Sequence, residues 1–319
     1  MPHASAKARV ESASMEHDKA NLTGTLTLLM SAVIWGFAFV AQRASMEHIG
    51  PYTFTGIRFA LGALVLIPWI LASRLRPPMP VLSSRTRHLW LAAGVAGFVL
   101  FVSANLQQIG LVYTTAGKAG FITGLYVVIV PLLGLFLRHR VGVFVWAGCV
   151  LAAVGMYFLS VEGTLSISLG DALVLGSALG WAFHVHLVGW LAQRMHPLRA
   201  AALQFTICSV LSLIMALLTE DIQLAGLLSA GWMIAYAGIL SVGVAYTLQL
   251  FGQRLIDPTR AGVIFSLEAV FAVLGGWVVL GETLSTRGII GCALMLGGMM
   301  LAQIRSQADS RSDKVNILS

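Results

Sequence analysis

Charge is scarce in this sequence. Asp, Glu, Lys and Arg together make up 10% of its 319 residues, where a soluble domain carries about 25%. So little charge cannot clothe a water-facing surface, which argues against an ordinary soluble protein. Cysteine is scarce too. Cys149, Cys208 and Cys292 are the three present, at spacings that give neither a disulfide framework nor a metal motif. All three fall in apolar segments and are expected to be small packing residues. The sequence lacks a His-Glu-x-x-His helix, a phosphate-cradling glycine loop and a nucleophile elbow. Those absences argue against a membrane enzyme and against direct use of ATP. The longest loop, about Arg74–His88, is too short to fold alone as a sensing domain. No cofactor and no metal is expected.

What the chain has is apolar length. Apolar residues make up 58% and the mean hydropathy is +0.86. Ten segments are long enough to cross about 30 Å of hydrocarbon: near 22–41, 52–73, 89–109, 117–137, 142–160, 169–191, 198–218, 230–250, 259–280 and 288–304. They must be helices, because lipid offers no partner to an unpaired backbone amide. Residues 1–21 and 305–319 are polar and short, a disordered tail being expected for the first and a cytoplasmic tail for the second. The first apolar segment is full length and followed by others, so it is not read as a signal peptide.

The chain also repeats itself. Ser31, Ala32, Trp35, Phe37, Pro51 and Phe59 recur 146 positions on as Ser177, Ala178, Trp181, Phe183, Pro197 and Phe205. Leu106-Gln107 and Gly110 recur 142 positions on as Leu248-Gln249 and Gly252, and Lys118-Ala119-Gly120 as Arg260-Ala261-Gly262. Cys149, Gly155 and Met156 recur 143 positions on as Cys292, Gly298 and Met299. Two halves follow, 22–160 and 169–304, with five helices in each. An odd number of spans per copy turns the second copy upside down in the membrane. Inverted repeats of this kind build a cavity that opens to either side, the architecture of a secondary transporter.

The basic residues agree with the inversion. With the N-terminus in the cytoplasm, 16 of the 20 Lys and Arg fall on the inner side. Only Arg43, Lys118 and Arg287 fall outside, and Arg58 lies within a span. That positive-inside bias predicts both termini in the cytoplasm. It also accounts for the +7 net charge without a nucleic-acid partner, because the charge is spread over loops.

Certain residues carry a family resemblance. Each half opens on a Trp-containing helix, Ala32-Val-Ile-Trp35-Gly-Phe-Ala-Phe39 in the first and Ala178-Leu-Gly-Trp181-Ala-Phe183 in the second, with a Pro before the next helix. The stretch Ala261–Glu282, running into Thr283-Leu284, is similar to the ninth helix and Gly-Glu turn of the EamA family. That family belongs to the drug/metabolite transporter superfamily. Family members commonly place a Pro after the ninth-helix acid, and here Ala269 follows Glu268. The resemblance covers about 22–304. It implies an all-α integral membrane protein of ten helices that exports small metabolites, often amino acids, from the bacterial cytoplasm.

Few residues are left to carry chemistry. Glu268 lies near the centre of the ninth segment, where a carboxylate costs a few kcal/mol or more. It is the candidate for proton coupling, the alternative being a protonated acid bonded to a neighbouring helix. Its repeat mate is Tyr126. Trp35 and Phe39 share a helix face, as do Trp181 and His184. Aromatic walls suit flat or apolar ligands. Asn105, Gln107 and Gln108 in the third segment, and Tyr246 and Gln249 in the eighth, supply polar groups. Amides there line a cavity or join helices, and joining is preferred for Gln108. His186 faces another way from His184 and is expected to be structural. Arg58, the repeat mate of Gln204, lies about two turns from the outer end of its segment; it is expected to snorkel outward, the alternative being that it binds a substrate carboxylate. Gly120-xxx-Gly124 and Gly176-xxx-Gly180 are expected to be packing faces. Pro131 is a candidate hinge.

The expected protein is therefore a multi-pass carrier of the bacterial inner membrane, working as a monomer in the lipid bilayer on a small-molecule substrate. Amino acids, aromatic and large neutral ones first, are the expected cargo, contacted by Trp35, Phe39, Asn105, Gln107, Tyr126, Trp181, His184, Tyr246 and Gln249. Efflux of drugs or nucleosides, and facilitated diffusion without coupling, stay open. Small four-helix multidrug antiporters resemble one half of this chain, but they carry an acid in the first helix, and the first segment here has none.

Overall fold

The computed structural model describes residues 2–74, 86–114, 116–137, 141–160, 168–280 and 286–304. The described residues are helical throughout, joined by turns, with no strand. Helix α1 runs Pro2–Ser45, α2 Pro51–Arg74, α3 Thr86–Tyr113, α4 Ala116–Gly124, α5 Tyr126–Phe136, α6 Val143–Ser160 and α7 Leu169–Ala192. Then come α8 Pro197–Thr219, α9 Leu224–Ser229, α10 Gly231–Ala235 and a π-helical segment, Tyr236–Tyr246. The chain ends in α11 Thr247–Gly252, α12 Pro258–Phe265, α13 Glu268–Leu280 and α14 Thr286–Ile304.

Seven of these stretches are long and apolar enough to cross a membrane: Asp18–Ser45, Pro51–Ala72, Arg87–Tyr113, Leu169–Ala192, Pro197–Thr219, Gly231–Gly252 and Pro258–Gly275. Ile122–Phe136, Val143–Gly155 and Thr286–Gly298 are shorter apolar helices. Each of the ten expected segments thus holds a helix, and seven reach spanning length among the described residues. Their exteriors stay apolar: Leu64, Trp69, Leu91, Phe98, Leu217 and Leu218 are all exposed. A ring of such residues fits a lipid-facing surface.

Residues 2–21 continue α1 as helix. The stretch Ala6–Lys19 is rich in Ala, Glu, Lys and Met, all good helix formers. Extending a helix that already exists also avoids the nucleation step. The loop about Arg74–His88, residues 281–285 and the tail after Ile304 fall largely or wholly outside the described residues.

Helix starts follow local sequence. Pro197 and Pro258 open α8 and α12, where a missing N–H costs nothing. Asp257 caps α12 by accepting from the Arg260 N–H at 3.0 Å. Ser168 and Asp171 form a reciprocal capping box at the start of α7. The start of α2 is capped from another part of the chain. Glu220, just after α8, accepts the Tyr52 and Thr53 N–H groups at 2.7 and 2.8 Å. Its carboxylate lies against Gly50, where any β-carbon would collide with it.

The closest packing joins α6 to α14, α3 to α7 and α2 to α8. The first of these pairs is antiparallel and reciprocal. A β-carbon on Gly155 would lie 2.6 Å from the Gly291 carbonyl, and one on Gly298 would lie 2.6 Å from that of Gly148. The α3–α7 contact has a counterpart of the same kind. Gly110 meets Val174 and the Gly170 carbonyl, while Gly252 meets Leu28 and the Gly24 carbonyl. The expected small-residue face Gly176-xxx-Gly180 packs here as well: Gly180 abuts Ser103, and Gly176 lies near Leu106.

Candidate functional site

A cavity opens at the middle of the bundle, lined from α1, α2, α3, α7, the π segment, α11 and the four half-helices α4, α5, α12 and α13. Two of its walls are ends of broken helices. The fourth apolar segment is interrupted at Leu125, between α4 and α5. The ninth is interrupted at Ser266-Leu267, between α12 and α13. Short i to i−3 bonds tighten both breaks, Leu125 N–H to Ile122 O and Leu267 N–H to Ile264 O, each 3.2 Å. Tyr126 opens α5 and Glu268 opens α13, so the two repeat mates occupy matching breaks. The second break forms with Ala269 in the position where the family commonly has Pro. Ser266 contributes instead, its Oγ donating to the Val263 carbonyl at 2.7 Å. Pro131, the candidate hinge, sits inside α5, which continues past it to Phe136. The interruption falls six residues earlier.

Aromatic rings make the floor. Tyr246 is their hub, 4.7 Å from Trp35, 5.8 Å from Phe59, 5.9 Å from Phe205 and 6.0 Å from Trp181, centroid to centroid. Phe265 packs 5.3 Å from Trp35. The rings are tilted or edge-on, as their quadrupoles prefer. Tyr246 ends the π segment, whose wide turns leave backbone carbonyls open to side-chain donors. Three bonds then tie α1 to it: Trp35 Nε1 to Ser241 O at 3.1 Å, Ser31 Oγ to Ala245 O at 3.0 Å, and Tyr236 Oη to Ile34 O at 3.0 Å. The matching stretch of the first half, Gly94–Ala104, stays α-helical within α3.

Of the residues singled out in the sequence, Trp35, Phe39, Gln107, Tyr126, Trp181, Tyr246, Gln249 and Glu268 come together around this cavity. Asn105 and His184 do not line it. Asn105 donates to the Phe101 carbonyl and to Ser212 Oγ, both at 2.8 Å, and so ties α3 to α8. His184 pairs with Gln204 Oε1 at 2.8 Å and packs edge-on against Trp181 and Tyr246, a layer behind the wall. His186 meets the Val130 carbonyl at 2.8 Å, and Gln108 donates to the Gln42 carbonyl at 3.2 Å. Both join helices, as the sequence suggested.

The cavity also recruits Gln42, Arg58, Thr123, Val185, Ser241 and Phe265. Two of these were legible as stripes. Gln42 continues the face of Trp35 and Phe39 at seven residues, and Val185 continues that of Trp181 at four. Of the two readings of Arg58, snorkelling is the one the structure overturns. The Arg58 side chain turns inward to Gln42 Oε1 at 2.6 Å, and the residue is only 3% exposed. The faces of Phe54 and Phe59 hold the guanidinium there, 5.3 and 5.2 Å from its carbon. An ionisable residue inside a span is by default a functional candidate, which is the alternative the sequence had kept open.

Several lining groups have no hydrogen-bond partner among the described residues: Trp181 Nε1, Gln249 Oε1, Glu268 Oε1 and Arg58 Nε. Tyr126 Oη lies beside Glu268, near enough to interact but outside good hydrogen-bond geometry. Buried polar atoms are ordinarily satisfied, so this cluster of open donors and acceptors is the mark of a place that receives something polar. The free space amounts to about 50 Å³. That holds a few water molecules and is too small for an amino acid, so the walls must part to admit one.

Sequence comparison agrees with this geometry. The profile of the EamA-like transporter family matches residues 22–161 and again 168–303, one match per half. The chain belongs to the EamA-like transporter family. Its members are transporters rather than enzymes, and this chain is a membrane transporter of that family. It is 28% identical to an "uncharacterized transporter" of Archaeoglobus fulgidus over 89% of this chain and 87% of that one. It is 27% identical to the threonine/homoserine exporter RhtA of Escherichia coli K12, covering 92% and 95%. It is 23% identical to the transporter YoaV of Bacillus subtilis, covering 86% and 95%. One crystal structure shares the fold with a TM-score of 0.72, at 23% identity over 88% of this chain and 96% of the other.

Proposed function

We propose that this EamA-family protein is a ten-span carrier of two inverted five-helix halves, 22–160 and 169–304. In this reading it exports small amphiphilic metabolites by alternating access. Amino acids, aromatic and large neutral ones first, are the cargo the site suits best. The observation that carries the reading is the cavity: an aromatic floor around Tyr246, with open polar groups beside two half-helix ends at Tyr126 and Glu268. Transporters characteristically place their sites at such interrupted helices. Trp35, Phe39, Gln107, Tyr126, Trp181, Tyr246 and Gln249 contact the substrate in this account. Asn105 and His184 position that wall from behind.

Reciprocal packing supports the inverted arrangement. Gly148 and Gly291 are repeat mates, as are Gly155 and Gly298, and each pairs with the other's partner across an antiparallel contact. Mates that run antiparallel belong to copies of opposite direction, as in an isologous interface. The two halves would rock about the cavity, with the breaks at Leu125 and Ser266-Leu267, and Pro131 in the fourth span, absorbing the change. The positive-inside bias supports placement in a bacterial inner membrane with both termini in the cytoplasm. Relatedness to a threonine/homoserine exporter over 92% of the chain favours amino acids over nucleosides and drugs.

A counterflow screen in proteoliposomes tests the reading. Amino acids, nucleosides, polyamines and cationic drugs are offered against a trapped labelled pool of each class. Exchange is expected for large neutral amino acids. Exchange confined to nucleosides, polyamines or drugs refutes the substrate class, and none with any class refutes carriage of these solutes.

A further inference from the structure

We propose that Arg58, held in place by Gln42, is a carboxylate anchor in the central cavity, so that the ligand is a small organic acid or zwitterion docked by its carboxylate. The inference rests on this cavity being the substrate cavity of the proposed carrier. Arg58 lies seven residues into α2, two helical turns from Pro51. A guanidinium has five N–H donors. Here one of them is used, Nη1 to Gln42 Oε1 at 2.6 Å, and Nε has no partner among the described residues. No described carboxylate lies within ion-pair distance of it. The ion pairs seen, Arg43–Glu47 and Arg260–Asp257, are local and lie elsewhere.

A cation that is 3% exposed and unpaired is costly to bury. A structural arginine would bring its own carboxylate, and a snorkelling one would reach water. Arg58 does neither. Its surroundings fix it instead. Phe54 and Phe59 flank the guanidinium, and the Gln42 backbone carbonyl is itself pinned by Ser45 Oγ at 2.7 Å and Gln108 Nε2 at 3.2 Å. A planar fork held rigidly with donors to spare is the geometry that takes a carboxylate with two parallel bonds. Glu268 lines the same cavity without pairing with Arg58. Once the walls part, a ligand in this cavity meets Arg58 with its negative end and, in an amino acid, Glu268 with its positive one. The rings of Trp35 and Tyr246 then face the ligand's apolar body.

The test compares four probes that share one ring: phenylalanine, 3-phenylpropionate, phenylalaninamide and phenethylamine. Binding is read as thermal stabilisation of the purified full-length protein in detergent. The two acids are expected to bind at least tenfold more tightly than the amide and the amine, since each uses charge-assisted bonds the others lack. Arg58→Gln should lose about tenfold or more for the acids and nothing for the amine. Arg58→Lys, which keeps the charge but not the fork, should fall between. The wild-type ranking of probes does not depend on any variant folding. Equal binding of acid and amide, binding of none of the four, or undiminished acid binding by Arg58→Gln overturns the anchor. Uptake of the acids into proteoliposomes is a separate readout. Acids that bind but are not carried refute the carrier and leave the anchor standing; acid and amide carried equally do the reverse.

Discussion

Trp35 and Trp181 hold matching places in the two halves, but their indole N–H groups are treated differently. Trp35 donates to the Ser241 carbonyl at 3.1 Å. Trp181 Nε1 is buried without a partner. Replacing each by Phe removes the same volume and the same N–H, so the difference between the two variants isolates the hydrogen bond. In Trp35→Phe a made bond is lost, a net cost of about 0.5–1.5 kcal/mol. In Trp181→Phe an unsatisfied donor disappears, whose burial costs about 1–3 kcal/mol. Trp35→Phe should therefore be the less stable by about 2 kcal/mol, seen as a lower thermal midpoint in detergent. Transport should rank the other way. If Trp181 Nε1 is kept open for substrate, Trp181→Phe should raise the KM for amino acid counterflow severalfold at unchanged protein yield. Trp181→Phe melting lower than Trp35→Phe, with unchanged counterflow, would refute the assignment of the open N–H to substrate.

Other substitutions probe the breaks, the packing and the ends of the bundle. Glu268→Gln keeps shape but cannot titrate. It should preserve exchange of labelled for unlabelled substrate while abolishing uphill transport driven by a pH gradient, and a near-silent variant in both assays would make the acid structural. A β-carbon on Gly36 would lie 2.6 Å from the Glu268 carbonyl and 2.8 Å from the Ala272 nitrogen. Gly36→Ala should therefore cost about 1–3 kcal/mol by overpacking and slow transport by moving the half-helix that begins at Glu268. Between α7 and α8, burial and the nearby Arg199 and Arg254 hold the His196 pKa below its ordinary 6.5. The fold favours neutral His196, so its contribution is complete above about pH 6.5 and is lost as the pH falls below it. The half-exposed site makes the effect small, and His196→Asn should flatten the midpoint difference between pH 7.5 and 5.5. Reporter fusions should read Arg85 as cytoplasmic and Gln223 as periplasmic, and the opposite pattern would sink the inverted arrangement.

The sequence by itself determined the class of molecule and the rough position of its helices. Apolar length and the lack of charge leave no alternative to helices in lipid, because an unpaired amide has nowhere else to bond. It also pointed to most of the cavity wall, since a helix puts Trp35 and Phe39 on one face by geometry alone, but it paired Trp181 with His184, which lies behind the wall, and passed over Val185. Repeat mates in the sequence became matching places in the fold, Tyr126 and Glu268 at the two breaks. Tertiary structure decided the rest. A π segment formed in one half and not in the other, although the two stretches align, because side chains of α1 take up the carbonyls its wider turns expose. The ninth span broke without a proline. Asn105 was drawn to Ser212, away from the cavity, by a partner 107 residues on. Arg58 turned inward because two phenylalanine faces and the Gln42 amide, brought from α1, wait there. Helix periodicity fixes which face a residue occupies. Which neighbour reaches that face first is set by how the helices pack.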